Sequence, residues 1–387
     1  MISKEIEGRI ARLQGKLQQQ SLDGALVIHP VDVYYFSGTR QNAVLWVPVS
    51  GDAVLMVRKS LIRARQDCPL EDIRPFPRSK EFVGVLGRCA RVGLMEDVLP
   101  VQQLKFYARL LPSSEFIDIS GINRELRSVK TPWELQRLRK GGEEICKVFA
   151  QVPSFLCAGM REIDLAAEFA LRLRQAGSEG PVRMRAFNQE LFGGLVVSGD
   201  KGCEPGFFDG AVTGAGLSSA SPQGSSSQNI QAGRPIMIDY TATFDGYIVD
   251  MTRMFVVGNY PEEAEKAFSA ALDIQSYVQE NLRAGQICCE LFEGACQLAA
   301  NHGLLENFMG VAGEQAKFVG HGVGLELDEF PVLAKGFENS LVSGQVIAVE
   351  PKFVLPGIGV VGIENTFVVS DNGGERITCL ADDLVRV

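Results

Sequence analysis

The sequence predicts a two-domain protein that mixes α/β and α+β architecture. Three observations carry this. Strands and helices alternate through the first third of the chain, as in an α/β domain with a mixed sheet. Two apolar hairpins, 235–258 and 344–369, each carry two acids in their strands. A helix pair accompanies each hairpin in chain order, 131–176 and 260–301, which suggests an internal pseudo-twofold. A chain of 387 residues has room for two domains of ordinary size. The boundary is placed near 124–130, giving domains 1–128 and 129–387.

Residues 1–20 have apolar positions at helical spacing, Ile6, Ile10, Leu13 and Leu17. GALVIHP reads as a short buried strand, followed by VYYFSG. AVLWVPV and AVLMVRK read as two strands joined at Ser50, Gly51 and Asp52. A helix through 61–66, a strand near VGLME and a helix near VQQLKFYARLL follow. Thr131 then caps a long helix, with Pro132 at its first position and Glu134 completing a capping box. A second helix runs to Gly177. After the first acid hairpin, Asn259, Tyr260 and Pro261 open a helix to about 282, and another covers about 287–301.

The hairpins hold the chemistry. Asp245-Gly246 is a strong two-residue turn signal, which places Thr241 opposite Asp250. Asp239 lies two residues before Thr241, so both aspartates share one face. In the second hairpin the turn falls near Pro356-Gly357. Glu350 and Glu364 are equidistant from Gly357 and also share a face. Between the hairpins, His321 sits in the Gly-rich stretch VGHGVGLELDEFP. Four carboxylates in apolar strands repel one another and lose hydration, so they need pairing or a metal. Four acids and one imidazole suit two hard or borderline divalent cations.

Bulk properties narrow the classes. The chain is 46% apolar, which suits a globular protein. A net charge of −9 argues against nonspecific binding to nucleic acid or an anionic membrane. The first 17 residues are charged and amphipathic, and no stretch approaches a membrane span. The nine cysteines are scattered, with no CxxC, which reads as free thiols in a reducing cytoplasm. His29 and His302 read as structural or surface residues.

The ordered set Asp239, Asp250, His321, Glu350 and Glu364 resembles the metal ligands of the "pita-bread" metallopeptidases, a group that includes methionine aminopeptidase, prolidase and aminopeptidase P. The strings that carry the likeness are DGYIVDMTR, GHGVGLELDEFP, VEP and GIENT. In length and layout the chain is most similar to the Xaa-Pro peptidases and creatinase, which add an N-terminal domain. The resemblance implies a creatinase-like mixed-sheet domain before a pita-bread catalytic domain. It implies two ions of manganese, cobalt, zinc or iron, with Asp239 on one ion, Asp250 and Glu364 bridging, and His321 and Glu350 completing the second. It assigns Glu350 a proton-shuttling role. It also implies a small peptide or dipeptide substrate, often with proline, and a homodimer.

The chain departs from that pattern in several places. The family usually has a His seven residues after the metal-binding His, where this chain has Asp328. A Pro-His step upstream of the first Asp reads Pro222-Gln223 here. An Arg two residues before the last Glu is replaced by Gly362, and Glu-Asp-Thr reads Glu364-Asn365-Thr366. An ionised Asp cannot donate a hydrogen bond, and Gln cannot carry charge. Extra chain, about 200–221, separates Ser198-Gly199 from Pro222 and by the resemblance lies at the mouth of the site. Arg183, Arg185, Asn188 and Gln189 are candidates to replace the lost contacts, with Gln223 and Asp328 as substrate-binding positions. Two other readings stand beside the peptidase: a hydrolase of a small non-peptide C–N substrate, and a binding protein that has lost turnover.

Overall fold

A computed structural model describes residues 2–187 and 193–387. The chain divides after Arg127 into two compact units.

The first unit runs α1 (Ile2–Gln19), β1 (Gly24–Val27), α2 (Pro30–Ser37), β2 (Ala43–Pro48), β3 (Val54–Val57), α3 (Leu61–Asp67), β4 (Asp72–Pro75), α4 (Ser79–Leu86), β5 (Arg91–Leu94), α5 (Val101–Leu110), β6 (Glu115–Asp118) and α6 (Ser120–Ser128). The predicted α1 stripe Ile6, Ile10, Leu13 and Leu17 is buried. Burying each such side chain contributes about 1.5–3 kcal/mol. The sheet order is β4-β3-β2-β1-β5-β6. β1 is antiparallel to β2 and parallel to β5, so the sheet is mixed, as the alternation predicts. The stretch VYYFSG, left unassigned by periodicity, belongs to α2. β4 and β6 have no clear sequence signal because they are the sheet edges, and β4 buries only Ile73. His29 lies 3.2 Å from Asp32, whose other oxygen accepts from Asn123 and Arg127 at 2.8 Å each. That buried ion pair gives His29 a structural setting.

The second unit runs α7 (Pro132–Phe149), α8 (Glu162–Gln175), β7 (Gly194–Ser198), β8 (Ile236–Phe244), β9 (Tyr247–Val256), α9 (Glu262–Asn281), α10 (Cys288–Asn301), β10 (Phe318–Gly322), β11 (Glu329–Ala334), β12 (Val346–Val349), β13 (Lys352–Leu355), β14 (Gly359–Gly362), β15 (Asn365–Ser370), β16 (Gly373–Arg376) and β17 (Val385–Arg386). The capping box at α7 is present. Thr131 Oγ1 accepts from the Glu134 amide, and the Glu134 carboxylate accepts from the Thr131 amide at 2.9 Å.

Strands form sheets β17-β9-β8-β7 and β11-β10-β12-β15-β16, with a two-stranded ribbon β13-β14. Asp245 and Gly246 both have positive φ, 49° and 83°, as a tight two-residue hairpin turn requires. α7 packs on β8 and β9. α9 packs on β14 and β16, and α10 packs on β11. α7 therefore backs the first acid-bearing hairpin, and α9 backs the β13–β14 ribbon of the second. The apolar core between them includes Met237, Met254, Ile274, Leu291, Ile347 and Phe367. Among the described residues no helix is long and apolar enough to cross a membrane.

Candidate metal centre

The β8–β9 register pairs Thr241 with Asp250 and Asp239 with Thr252, so Asp239 and Asp250 project from one face of the hairpin. Glu350 sits between β12 and β13, and Glu364 between β14 and β15. His321 lies on β10, paired with Ala348 of β12. All five line one cavity of about 310 Å³. Ligand atoms of Asp250, His321 and Glu364 lie within 4.8 Å of one another. His321 Nε2 is 3.4 Å from Glu350 Oε1.

Hydrogen bonds lock the two hairpins together behind these acids. Thr252 Oγ1 donates to Glu364 Oε2 at 2.9 Å, and the Asp250 amide donates to Thr366 Oγ1 at 3.0 Å. The buried Arg253 donates to the carbonyls of Thr252, Glu364, Leu380 and Ala381 and to Asn365 Oδ1. The Asn365 amide reaches Gln275 and Asp382 at 2.9 Å each. Asn365 is thus an internal bracing group.

A sixth polar side chain stands in the cluster. Lys352, 3% exposed, directs its Nζ to Asp239 Oδ2 at 2.8 Å, Glu350 Oε2 at 2.7 Å and Glu364 Oε2 at 3.1 Å. Sequence reasoning missed it. The signal was present: Lys352 follows Glu350 by two residues and interrupts an otherwise apolar strand, so alternation puts both on one face.

These charges set one another's protonation. Burial, then the neighbouring Asp239, pushes Asp250 up to about 7. Burial and the Asp250 charge raise Glu364 well above the usual carboxylate range. Burial also works against the Glu350 anion, but Lys352 and His321 outweigh it and hold Glu350 at about 2. Burial disfavours the His321 cation, yet its contact with Glu350 and the surrounding acids bring it to about 10. Burial likewise opposes the Lys352 ammonium and is overcome by Asp239, Glu350 and Glu364, so it lies well above its ordinary value. Four acids in one buried site cannot all stay ionised without cations beside them.

The other candidates fall differently. Gln223 and Asp328 line the cavity. Both oxygens of Asp328 accept backbone amides, Arg185 at 2.7 Å and Ala186 at 2.9 Å. Asp328 thus braces the 183–187 segment. The Arg185 side chain, expected at the substrate, is instead buried with its Nη1 3.5 Å from Glu326 Oε2, while Met184 and Ala186 line the cavity. A guanidinium in this interior needs the buried acid as its counter-ion. Arg183 reaches the Gly246 carbonyl at the hairpin turn. Asn188 and Gln189 lie outside the described residues. From the extra segment, Phe208–Thr213 forms one wall of the cavity. His302 caps the end of α10 and contacts Asp273 at 2.9 Å.

The model of metallopeptidase family M24 matches residues 136–371. The chain belongs to metallopeptidase family M24. The model of the creatinase/prolidase N-terminal domain matches residues 9–129 of this M24 chain. A dinuclear-metal mechanism is general for the family. The M24 chain is 27% identical to an Xaa-Pro dipeptidase of Pyrococcus furiosus, over 96% of this chain and 97% of that one. Two solved structures share its fold. The Xaa-Pro dipeptidase from Bacillus anthracis has a TM-score of 0.84 at 23% identity, covering 99% of this chain and 100% of its own. The prolidase from Pyrococcus horikoshii has a TM-score of 0.83 at 24% identity, covering 98% and 100%. As a member of this family the protein is a metallopeptidase, and its cluster offers a place for a divalent ion.

Proposed function

We propose that the protein hydrolyses small peptides or dipeptides of the Xaa-Pro type in a metal-dependent reaction. The observation that carries this is the convergence of Asp239, Asp250, His321, Glu350 and Glu364 on one cavity in an M24 chain. Similarity to an Xaa-Pro dipeptidase along nearly the whole chain supports the substrate class.

Asp250, His321 and Glu364 are the donors for an ion of manganese, cobalt, zinc or iron; nitrogen and oxygen donors accept all four. The resemblance implies two ions, with Asp239 on one and His321 and Glu350 on the other. A divalent ion here supplies Lewis-acid chemistry, polarising a carbonyl and acidifying water. Glu350, kept anionic by Lys352 and His321, is the carboxylate assigned to move a proton at its Oε1. Leu195, Val212, Phe318, Leu327 and Val332 give the cavity apolar walls that take an apolar side chain and exclude water. Gln223 is a polar position on the same wall. The same reading includes a homodimer and a cytoplasmic location, the latter supported by nine free cysteines.

A small non-peptide C–N substrate is the second reading. It is favoured by one observation: among the described residues His321 is the only imidazole lining the cavity, and Asp328 is committed to backbone amides. A panel of Xaa-Pro dipeptides, longer peptides and small amides, assayed with each metal, separates the two. Hydrolysis of the proline dipeptides supports the first reading. Turnover of small amides alone supports the second.

A further inference from the structure

Lys352 begins β13, whose remaining residues Phe353, Val354 and Leu355 are apolar. Its partner across the ribbon is Gly362. A Cβ at residue 362 would lie 2.6 Å from Lys352 Cγ and 2.8 Å from the Pro351 carbonyl, so the glycine accommodates both the close backbone and the lysine stem. The side chain then spends all three ammonium donors on carboxylates from both hairpins: Asp239 from the first, Glu350 and Glu364 from the second. The placement is as specific as that of a ligated ion. It is buried and threefold satisfied.

The ammonium and a divalent ion need the same space. Metal–oxygen bonds to carboxylates are about 2.0–2.2 Å. An ion held by Asp239 Oδ2 and Glu364 Oε2 would therefore have to occupy the volume that Nζ fills. On the other side of the cluster, Asp250, His321 and Glu364 still converge within 4.8 Å, a nitrogen-and-oxygen set suited to one ion.

We infer that the Lys352 ammonium is a built-in cation that takes one of the two cation positions of the cluster, so that this chain holds one divalent ion, on Asp250, His321 and Glu364, where the family pattern implies two. This rests on the peptidase reading only in treating the cluster as a cation site. Its consequence is a fixed positive charge beside the ion that cannot dissociate. It leaves Asp239 paired with Lys352 and without an ion of its own.

The test is metal stoichiometry, which needs no substrate. The full chain is stripped with a chelator, reloaded separately with excess manganese, cobalt or zinc, freed of loose ions by gel filtration and analysed for metal per chain. The same is done with Lys352→Ala, which removes charge and bulk, and with Lys352→Met, which keeps the stem without the charge. The expected result is one ion per chain for the unaltered protein and two for Lys352→Ala. Stripped of metal, Lys352→Ala and Lys352→Met should melt at lower temperature than the unaltered protein, because the carboxylates have lost their counter-ion. Two ions on the unaltered chain overturn the inference, whether or not the variants fold. One ion on both the unaltered chain and Lys352→Ala overturns it as well. One ion without peptide hydrolysis overturns the peptidase reading and leaves this inference standing. Two ions with hydrolysis do the reverse, and no ion on any chain overturns both.

Discussion

Glu350 stands opposite Glu364 at the point where the β13–β14 ribbon gives way to the β12–β15 pair. Lys352 pairs with Gly362 on one side of the two glutamates and Val349 with Asn365 on the other, in unbroken register. At this junction Glu364 bridges to Thr252 of β9 and the Glu350 amide donates to the Val319 carbonyl, and both carboxylates line the cavity with Asp239 and Asp250.

Asp250→Ala should abolish ion binding at the Asp250, His321 and Glu364 set and reduce kcat/KM by more than about 100-fold, since even outer residues around metal sites are worth 10–100-fold. Metal analysis and hydrolysis assays on the same sample check this. Loss of activity with full metal content would contradict the ligand assignment.

Arg253→Met should cost about 3–5 kcal/mol of stability, the usual penalty for breaking a buried charge pair from one side. The guanidinium is 1% exposed, lies 3.1 Å from Asp382, and holds the Glu364 carbonyl at 2.9 Å. Burial already pushes it down to about 10, which shows how little solvent helps it. Denaturant unfolding measures the loss. A change under about 1 kcal/mol, within what one ordinary hydrogen bond contributes, would refute the bracing role.

Much of this architecture was legible in the sequence, for physical reasons. The Asp245-Gly246 turn sets the hairpin register to the residue, so the shared face of Asp239 and Asp250 follows from alternation alone. Counting from Gly357 gives the ribbon register, in which Lys352 pairs with Gly362, two residues inside Glu350 and Glu364. Thr131, Pro132 and Glu134 announced α7 through capping chemistry. What escaped was non-local. The edge strands β4 and β6 have too few buried residues to make a pattern. The Arg185 partner, Glu326, is 141 residues away, so no spacing rule could turn that guanidinium from the cavity. Lys352 escaped for a related reason. Its shared face with Glu350 is legible from alternation, but only the sheet shows that Asp239 and Glu364 surround it as well.

Gly362→Ala should destabilise the protein by about 1–3 kcal/mol, the range for overpacking a tight interior. The new methyl would meet Lys352 Cγ at 2.6 Å and the Pro351 carbonyl at 2.8 Å. It should also tighten ion uptake, because the lysine stem is pushed from its path. Thermal melting and an ion titration read the two effects. Unchanged stability together with unchanged ion affinity would contradict the packing described for this pair.

Asp328→Ala should leave the Arg185 and Ala186 amides without their acceptor. The Arg185 bond is part-buried and the Ala186 bond exposed, so each contributes about 0.5–1.5 kcal/mol, the net worth of an ordinary hydrogen bond. Hydrogen exchange should quicken at these two amides, and KM should rise more than kcat falls, because the 183–187 segment positions the cavity wall. Equal exchange in both proteins would show that Asp328 is free for the substrate after all.

The most direct test of the central claim is anomalous diffraction from crystals of the manganese-loaded protein. The account predicts one anomalous peak, among Asp250, His321 and Glu364, with Lys352 Nζ still bonded to Asp239 and Glu350. Two peaks, with Lys352 swung out of the cluster, would contradict it.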